Sequence, residues 1–275
     1  MSPIDDGVVL ITGASSGIGR ELARLVAPRA RTLVLVARRR DRLEELRAEL
    51  TAKNPRLKVV LGPCDLGDLA QTDAMLEAVR PEAGDIDVLV NNAGIGDIGV
   101  FDRADWGKTH RMIELNVTSL TYLTHRLLGP MVARGKGGVL NISSGWGLSF
   151  APGFSTYVGT KHFVTGFTEC LRLDLAGTGV TATQVCPGPV ATEFEENLGN
   201  FTGQKVPGFI QISAEQCARA AVRGFDRRRA LVIPGFVMKV LMLLNSLTPR
   251  FVMRLLSAPL GKALRKKQLA AAAGR

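Results

Sequence analysis

The chain has 275 residues, 46% of them hydrophobic, and a formal net charge of +10. This length and apolar content suit one sizeable domain with a buried core and exclude a disordered chain. Four dispersed cysteines (Cys64, Cys170, Cys186, Cys217) and three histidines at no ligand spacing (His110, His125, His162) exclude a disulfide framework and leave no metal site to expect.

The N-terminal MSPIDDGVVLITG carries two acids and lacks the basic start and long apolar stretch of a secretory signal, so a reduced, cytoplasmic setting is expected. GVVLITG reads as a first buried strand, closed by glycine. It runs into Thr12-Gly13-Ala14-Ser15-Ser16-Gly17-Ile18-Gly19 and then a helix that Pro28 breaks. A turn of small residues between strand and helix lets backbone approach a pyrophosphate, which the helix N-terminus attracts. Alone, the same residues fit any tight turn.

Residues 31–37 form a second apolar strand, ending in Ala37-Arg38-Arg39-Arg40. An acid at this position would bind the ribose 2′-OH of NAD, whereas an arginine accommodates a 2′-phosphate. With no acid before Asp41, Arg38 points to NADP(H), against the plain alternative of a solvated basic turn. A helix over 41–53 follows, then strands in KVVLGPCDL and IDVLVNNAG, a helical region around 110–134 and a fifth strand, VLNISS.

Ser144 ends that strand, thirteen residues before Tyr157. Tyr157 and Lys161 are four apart and share a helix face. A nearby ammonium favours the phenolate and lowers the tyrosine pKa, which makes the pair a sensible general acid/base. A helix over 160–177 and a sixth strand, VTATQVCPGPV, complete the pattern. Continuous apolar strands separated by helices predict a single doubly wound, Rossmann-type α/β domain, with a mostly parallel sheet of about seven strands covered on both faces.

Residues 193–212 combine phenylalanines with a glycine-rich hinge, which suits a mobile, partly apolar cover or lid. Phe194 within it, with Trp146 and Phe154, either lines a substrate pocket or merely packs the loops. The catalytic domain is placed at 1–230 and an apolar, basic extension at 231–275. From Arg227 to Arg275 there are eleven Lys/Arg and no Asp/Glu, while 24 basic and 25 acidic residues precede them. The body is therefore near neutral, and nucleic acid is not an expected partner. No apolar run is long enough for a membrane-spanning helix. Three readings of the extension stay open: an amphipathic anchor at the inner face of a membrane, an oligomer or lid element, or a solvated tail.

Taken in order, T-G-A-S-S-G-I-G (12–19), C-D-L (64–66), N-N-A-G (91–94), Asn116, N-I-S-S (141–144), Y-V-G-T-K (157–161) and P-G-P-V-A-T (187–192) resemble the classical short-chain dehydrogenases/reductases over roughly residues 7–230. The resemblance implies that Tyr157 exchanges the proton, Lys161 binds the nicotinamide ribose and Ser144 holds the substrate oxygen. It places Asn116 in a locally distorted helix of the proton relay. Asp65 and Leu66 would meet the adenine, and Asn92, Ala93 and Gly94 would line the adenosine side. Pro187, Gly188, Val190 and Thr192 would lie by the nicotinamide. The expected activity is hydride transfer between NADP(H) and a small lipophilic carbonyl or alcohol, in a homodimer or homotetramer. A non-catalytic NADP(H)-binding sensor is the alternative.

Overall fold

The computed structural model of the chain describes residues 2–199 and 207–273. Seven strands form one parallel sheet: β1 (Val8–Thr12), β2 (Thr32–Ala37), β3 (Lys58–Pro63), β4 (Val88–Asn91), β5 (Gly137–Ile142), β6 (Val180–Val185) and β9 (Leu231–Val232). Their order is β3-β2-β1-β4-β5-β6-β9, so the winding reverses between β1 and β4. In an open sheet of this kind that reversal, at the strand C-termini, is where a ligand crevice forms.

Helices cover both faces, which is why β1, β2, β4, β5 and β6 are buried along their whole length. On one side lie α1 (Gly17–Val26), α2 (Arg40–Lys53) and α8 (Ala214–Asp226), closing over a core that includes Leu22, Leu46 and Phe225. On the other lie α3 (Leu69–Ala83), α5 (Leu120–Ala133) and α6 (Ser155–Asp174), over Met75, Leu123 and Leu171. Each such side chain contributes about 1.5–3 kcal/mol by leaving water.

Two helices have no counterpart in the sequence reading. Asp68 caps α3 by accepting from the backbone N–H groups of Ala70 (2.9 Å) and Gln71 (3.1 Å). Ser213 and Gln216 form a reciprocal capping box at α8, each side chain accepting from the other's backbone N–H at 3.1 Å. The helical region expected around 110–134 starts earlier. It runs as α4 (Trp106–Ile113), one π-helical segment (Glu114–Ser119) and α5.

The boundary at 230 also moves. Residues 231–232 pair with β6, so the sheet itself reaches past it, and the extension begins with Gly235 capping α9 (Phe236–Leu247). α10 (Arg250–Ala273) follows, so this segment is two helices, the second of them mostly exposed. Among the described residues no single helix is long and apolar enough to span a membrane. The pair α9 and α10 has the composition together but is bent by 115°.

Candidate active site

The glycine loop is built by contacts to the end of β4. Thr12 Oγ1 donates to the Val90 carbonyl at 3.2 Å and accepts from the N–H groups of Asn92 (2.9 Å) and Ala93 (3.0 Å). Asn92 Nδ2 returns a bond to the Thr12 carbonyl at 2.9 Å. Gly13 and Gly17 adopt φ of +66° and +54°, and a Cβ on Gly19 would sit 2.3 Å from the Gly13 carbonyl oxygen. Only glycine allows a turn this tight. Ser16 caps α1 through its extended backbone without a side-chain hydrogen bond, so no side chain satisfies the N–H groups of the first turn. That cradle fits a phosphate.

At the end of β2 the two arginines divide. Arg38 is exposed and makes no hydrogen bond or ion pair among the described residues. Arg39, which the sequence reading did not single out, donates to Ser15 Oγ in the glycine loop (3.2 Å) and to Glu193 (2.9 Å). Arg42 also pairs with Glu193, and the hydrogen bonds from Arg42 and then Arg39 hold that carboxyl below the usual range. Three consecutive arginines gave no local sign of which one would face the loop. At the end of β3, Asp65 accepts from the Gly67 N–H at 3.1 Å and Leu66 is buried.

Asn116, Ser144, Tyr157 and Lys161 are all buried. Asn116 lies in the π-helical segment. Its amide accepts from the Ile95 N–H (3.0 Å) and donates to the Ile95 carbonyl (2.9 Å) and to Thr160 Oγ1 (3.1 Å). Gly94 packs against the same group: a Cβ there would lie 3.2 Å from Asn116 Oδ1 and 3.5 Å from Lys161 Nζ. Ser144 Oγ accepts from the Trp146 N–H at 3.2 Å. Lys161 Nζ donates to the Ile142 carbonyl at 3.0 Å and stands 5.8 Å from the centre of the Tyr157 ring.

The electrostatics differ from the sequence expectation in one respect. Burial pushes the Tyr157 phenol up to about 12, against the smaller opposing effect of a hydrogen bond with Ser144. The same burial lowers Lys161 to about 8. Desolvation penalises the charged form of each group, so it moves the two in opposite directions. The protein on its own therefore favours a protonated phenol.

The three aromatic candidates converge on the tyrosine. Trp146 stacks on Phe154 (centroids 5.9 Å apart), Phe154 lies 6.3 Å from Tyr157, and Phe194 lies 5.7 Å from it on the other side. Phe194 belongs to α7 (Glu193–Asn197), and with Leu198 it closes over Gly96, where a Cβ would meet both. The two ends of the segment expected to be a lid are joined by the short parallel pair β7 (Val190–Ala191) and β8 (Ile212–Ser213). Its middle, 200–206 with Phe201, lies outside the described residues, while Phe209 faces solvent. Thr192 packs on Gly17, and Val190 is buried at the base of the lid.

The extension reaches the same site. Asn245 of α9 accepts from Ser149 Oγ (2.8 Å) and donates to the Leu148 carbonyl (3.0 Å), just after Ser144. Met238 fills the space over Gly188, where a Cβ would lie 2.4 Å from its Cγ, and the Gly145 N–H donates to the Pro187 carbonyl at 2.7 Å. Gln268 of α10 accepts from the Val100 N–H at 2.8 Å and joins Ile98, Phe101, Met112, Phe154 and Tyr157 in lining one pocket. Nothing local in the sequence marks Gln268 as a pocket residue.

Comparison with known proteins places this arrangement. The family profile described as short chain dehydrogenase matches residues 7–202. The NADP-dependent 3-hydroxy acid dehydrogenase of Schizosaccharomyces pombe is 35% identical over 245 residues, 85% of this chain and 92% of that protein. One matched relative is far longer, the match spanning 15% of it. A short-chain dehydrogenase from Sphingobium yanoikuyae, solved in complex with NADPH, is similar over 84% of this chain and 88% of its own, with a TM-score of 0.75 and 35% identity. A short chain dehydrogenase/reductase from Burkholderia phymatum in complex with NAD is similar over 89% and 94%, with a TM-score of 0.77 and 25% identity.

Proposed function

The chain belongs to the short-chain dehydrogenase family, nicotinamide-dependent oxidoreductases of alcohol and carbonyl groups, and on that footing we propose that it interconverts a lipophilic carbonyl and its alcohol with NADP(H), Tyr157 exchanging the proton. One observation carries the reading: a buried phenol, 5.8 Å from Lys161 Nζ at its ring centre, is walled by the rings of Phe154 and Phe194.

The residues present fit the cofactor. The loop Gly13–Gly19 offers backbone N–H groups and the dipole of α1 to the pyrophosphate. Arg38, exposed and unpaired among the described residues, and Arg39, now paired with Glu193, supply charge for a 2′-phosphate, and no acid lies from Ala37 to Arg40. The similarity to an NADPH-bound structure and to an NADP-dependent enzyme supports the same preference. Asp65 and Leu66 are assigned to the adenine, and Pro187, Gly188, Val190 and Thr192 to the nicotinamide side. When bound, the nicotinamide supplies or accepts the hydride.

The chain's own residues do the rest. Ser144 donates to the substrate oxygen and stabilises charge that develops on it. Tyr157 gives that oxygen its proton in reduction and takes it back in oxidation. Lys161 binds the nicotinamide ribose and eases formation of the phenolate. Asn116 holds the Ile95 backbone and Thr160, and so fixes the floor on which Lys161 stands. Trp146, Phe154 and Phe194 exclude water and favour apolar substrates.

The test is oxidation of NADPH and of NADH by the purified protein across carbonyls of graded chain length and ring size, with Tyr157→Phe as control. NADPH turnover that grows with substrate hydrophobicity and disappears in the variant is the expected result. Tight NADPH binding with no turnover anywhere in the panel would favour the sensor reading, and binding of neither cofactor would overturn both.

A further inference from the structure

The outer faces of α9 and α10 carry a surface that the catalytic reading does not use. On α9 the side chains that dock onto the body are Met238, Met242 and Asn245, at helical spacing. The remaining face is almost wholly apolar and open: Phe236 is 81% exposed, Leu247 73%, and Leu243 and Leu244 more than half. The first half of α10 continues it with Phe251, Leu255, Leu256 and Leu260, all at least 63% exposed. So large a set of exposed apolar side chains on consecutive helices marks an interaction surface.

Cations dominate the charge around it, although Arg265 of α10 is paired with Asp102 of the body. Lys239, Arg250, Arg254, Lys262, Lys266 and Lys267 are exposed and form no ion pair among the described residues. The chain has no acid after Asp226. A second copy of this chain would bring the same uncompensated cations to the face, whereas an anionic lipid surface offers both an apolar phase and the opposite charge.

We propose that α9 and α10 seat the protein on an anionic bilayer and open the substrate pocket to molecules dissolved in it. The inner face of α10 is also a wall of that pocket: Gln268 lines it with Tyr157, and Leu264 packs on Gly153 beside Phe154. The helix that rests on the lipid therefore borders the path to the phenol, and the substrate class is a hydrophobic ketone or aldehyde held in the membrane. The bilayer docking stands without the catalytic assignment, while the substrate class rests on it.

The experiment is co-sedimentation of the full chain with vesicles of phosphatidylcholine, with and without one third phosphatidylglycerol, followed by NADPH oxidation with a long-chain ketone presented in the same vesicles. Binding is expected to the anionic vesicles and to fall with added salt. Each cation among Arg254, Lys262 and Lys266 changed to Gln is expected to weaken it about fivefold. A second variant, Leu243→Gln with Leu247→Gln, is expected to lose it while keeping NADPH affinity, which shows the fold intact. No sedimentation with anionic vesicles at low salt, or a dimer in solution that the Leu243/Leu247 variant dissociates, would overturn the docking. Vesicle binding without any faster turnover of the vesicle-borne ketone over a water-soluble one would overturn the substrate class alone.

Discussion

Arg39 donates to Glu193 at 2.9 Å, joining the end of β2 to the first residue of the helix that carries Phe194 over Tyr157. The same guanidinium reaches Ser15 in the glycine loop, so one side chain touches the cofactor cradle and the lid together. A 2′-phosphate arriving at Arg39 competes with a carboxylate already there.

Arg39→Ala is therefore expected to weaken NADPH binding by about tenfold or more, the scale of one charge-assisted hydrogen bond, and to leave NADH almost unchanged. Glu193→Gln is expected to tighten NADPH selectively. Fluorescence titration of both cofactors checks this, and an equal loss of both in Arg39→Ala would remove it from phosphate recognition.

Tyr157→Phe removes the proton-transferring hydroxyl while keeping the ring between Phe154 and Phe194. Turnover is expected to fall by about 10²–10⁴ with NADPH affinity retained. Substantial residual activity would assign the proton transfer to another group.

The buried pair also makes stability depend on pH. Lys161 sits at about 8 against an ordinary 10.5, so between those values the unfolded chain binds the extra proton and stability rises with pH. Tyr157 sits at about 12 against 10.0, so from 10 to 12 the folded chain keeps the extra proton and stability falls. Urea midpoints should show Lys161→Met more stable than the parent near neutral pH. That advantage should shrink as pH rises toward 10.5, and a widening one would contradict the lowered lysine.

Phe225 is fully buried, and its ring lies where a Cβ on Gly138 would come within 2.5 Å of Cζ. Phe225→Ala is expected to cost about 3–5 kcal/mol in denaturant unfolding, because the close fit leaves a cavity that the sheet cannot fill.

Asn245→Ala deletes both bonds from α9 to the segment after Ser144. It is expected to raise KM for the carbonyl several-fold with NADPH affinity unchanged, read from steady-state kinetics and cofactor titration. A parallel loss of both would mean general unfolding and not a loosened loop.

Six strands were legible because each holds a short buried run rich in Val, Leu and Ile, and the glycine loop and the Tyr157–Lys161 pair because their signals are local; β9, only Leu231–Val232, is too short to read. α8 went unread although Cys217, Ala218, Ala221, Val222 and Phe225 mark a buried face at helical spacing opposite its charged one; that spacing and the capping box were the readable clues. The role of Arg39 depends on how the chain turns after β2, which three identical side chains conceal. Asn245 and Gln268 reach partners 96 and 168 residues away, beyond any sequence window.

Met238 over Gly188 and Asn245 on Ser149 key α9 to the body, and Gln268 on Val100 keys α10. A chimaera that took these helices from a relative would have to carry matching residues at 145–149 and 188, or leave the serine loop unbraced. The C-terminus and the loops it touches are thus one mechanical unit, and exchanging either half alone would be read first as lost turnover.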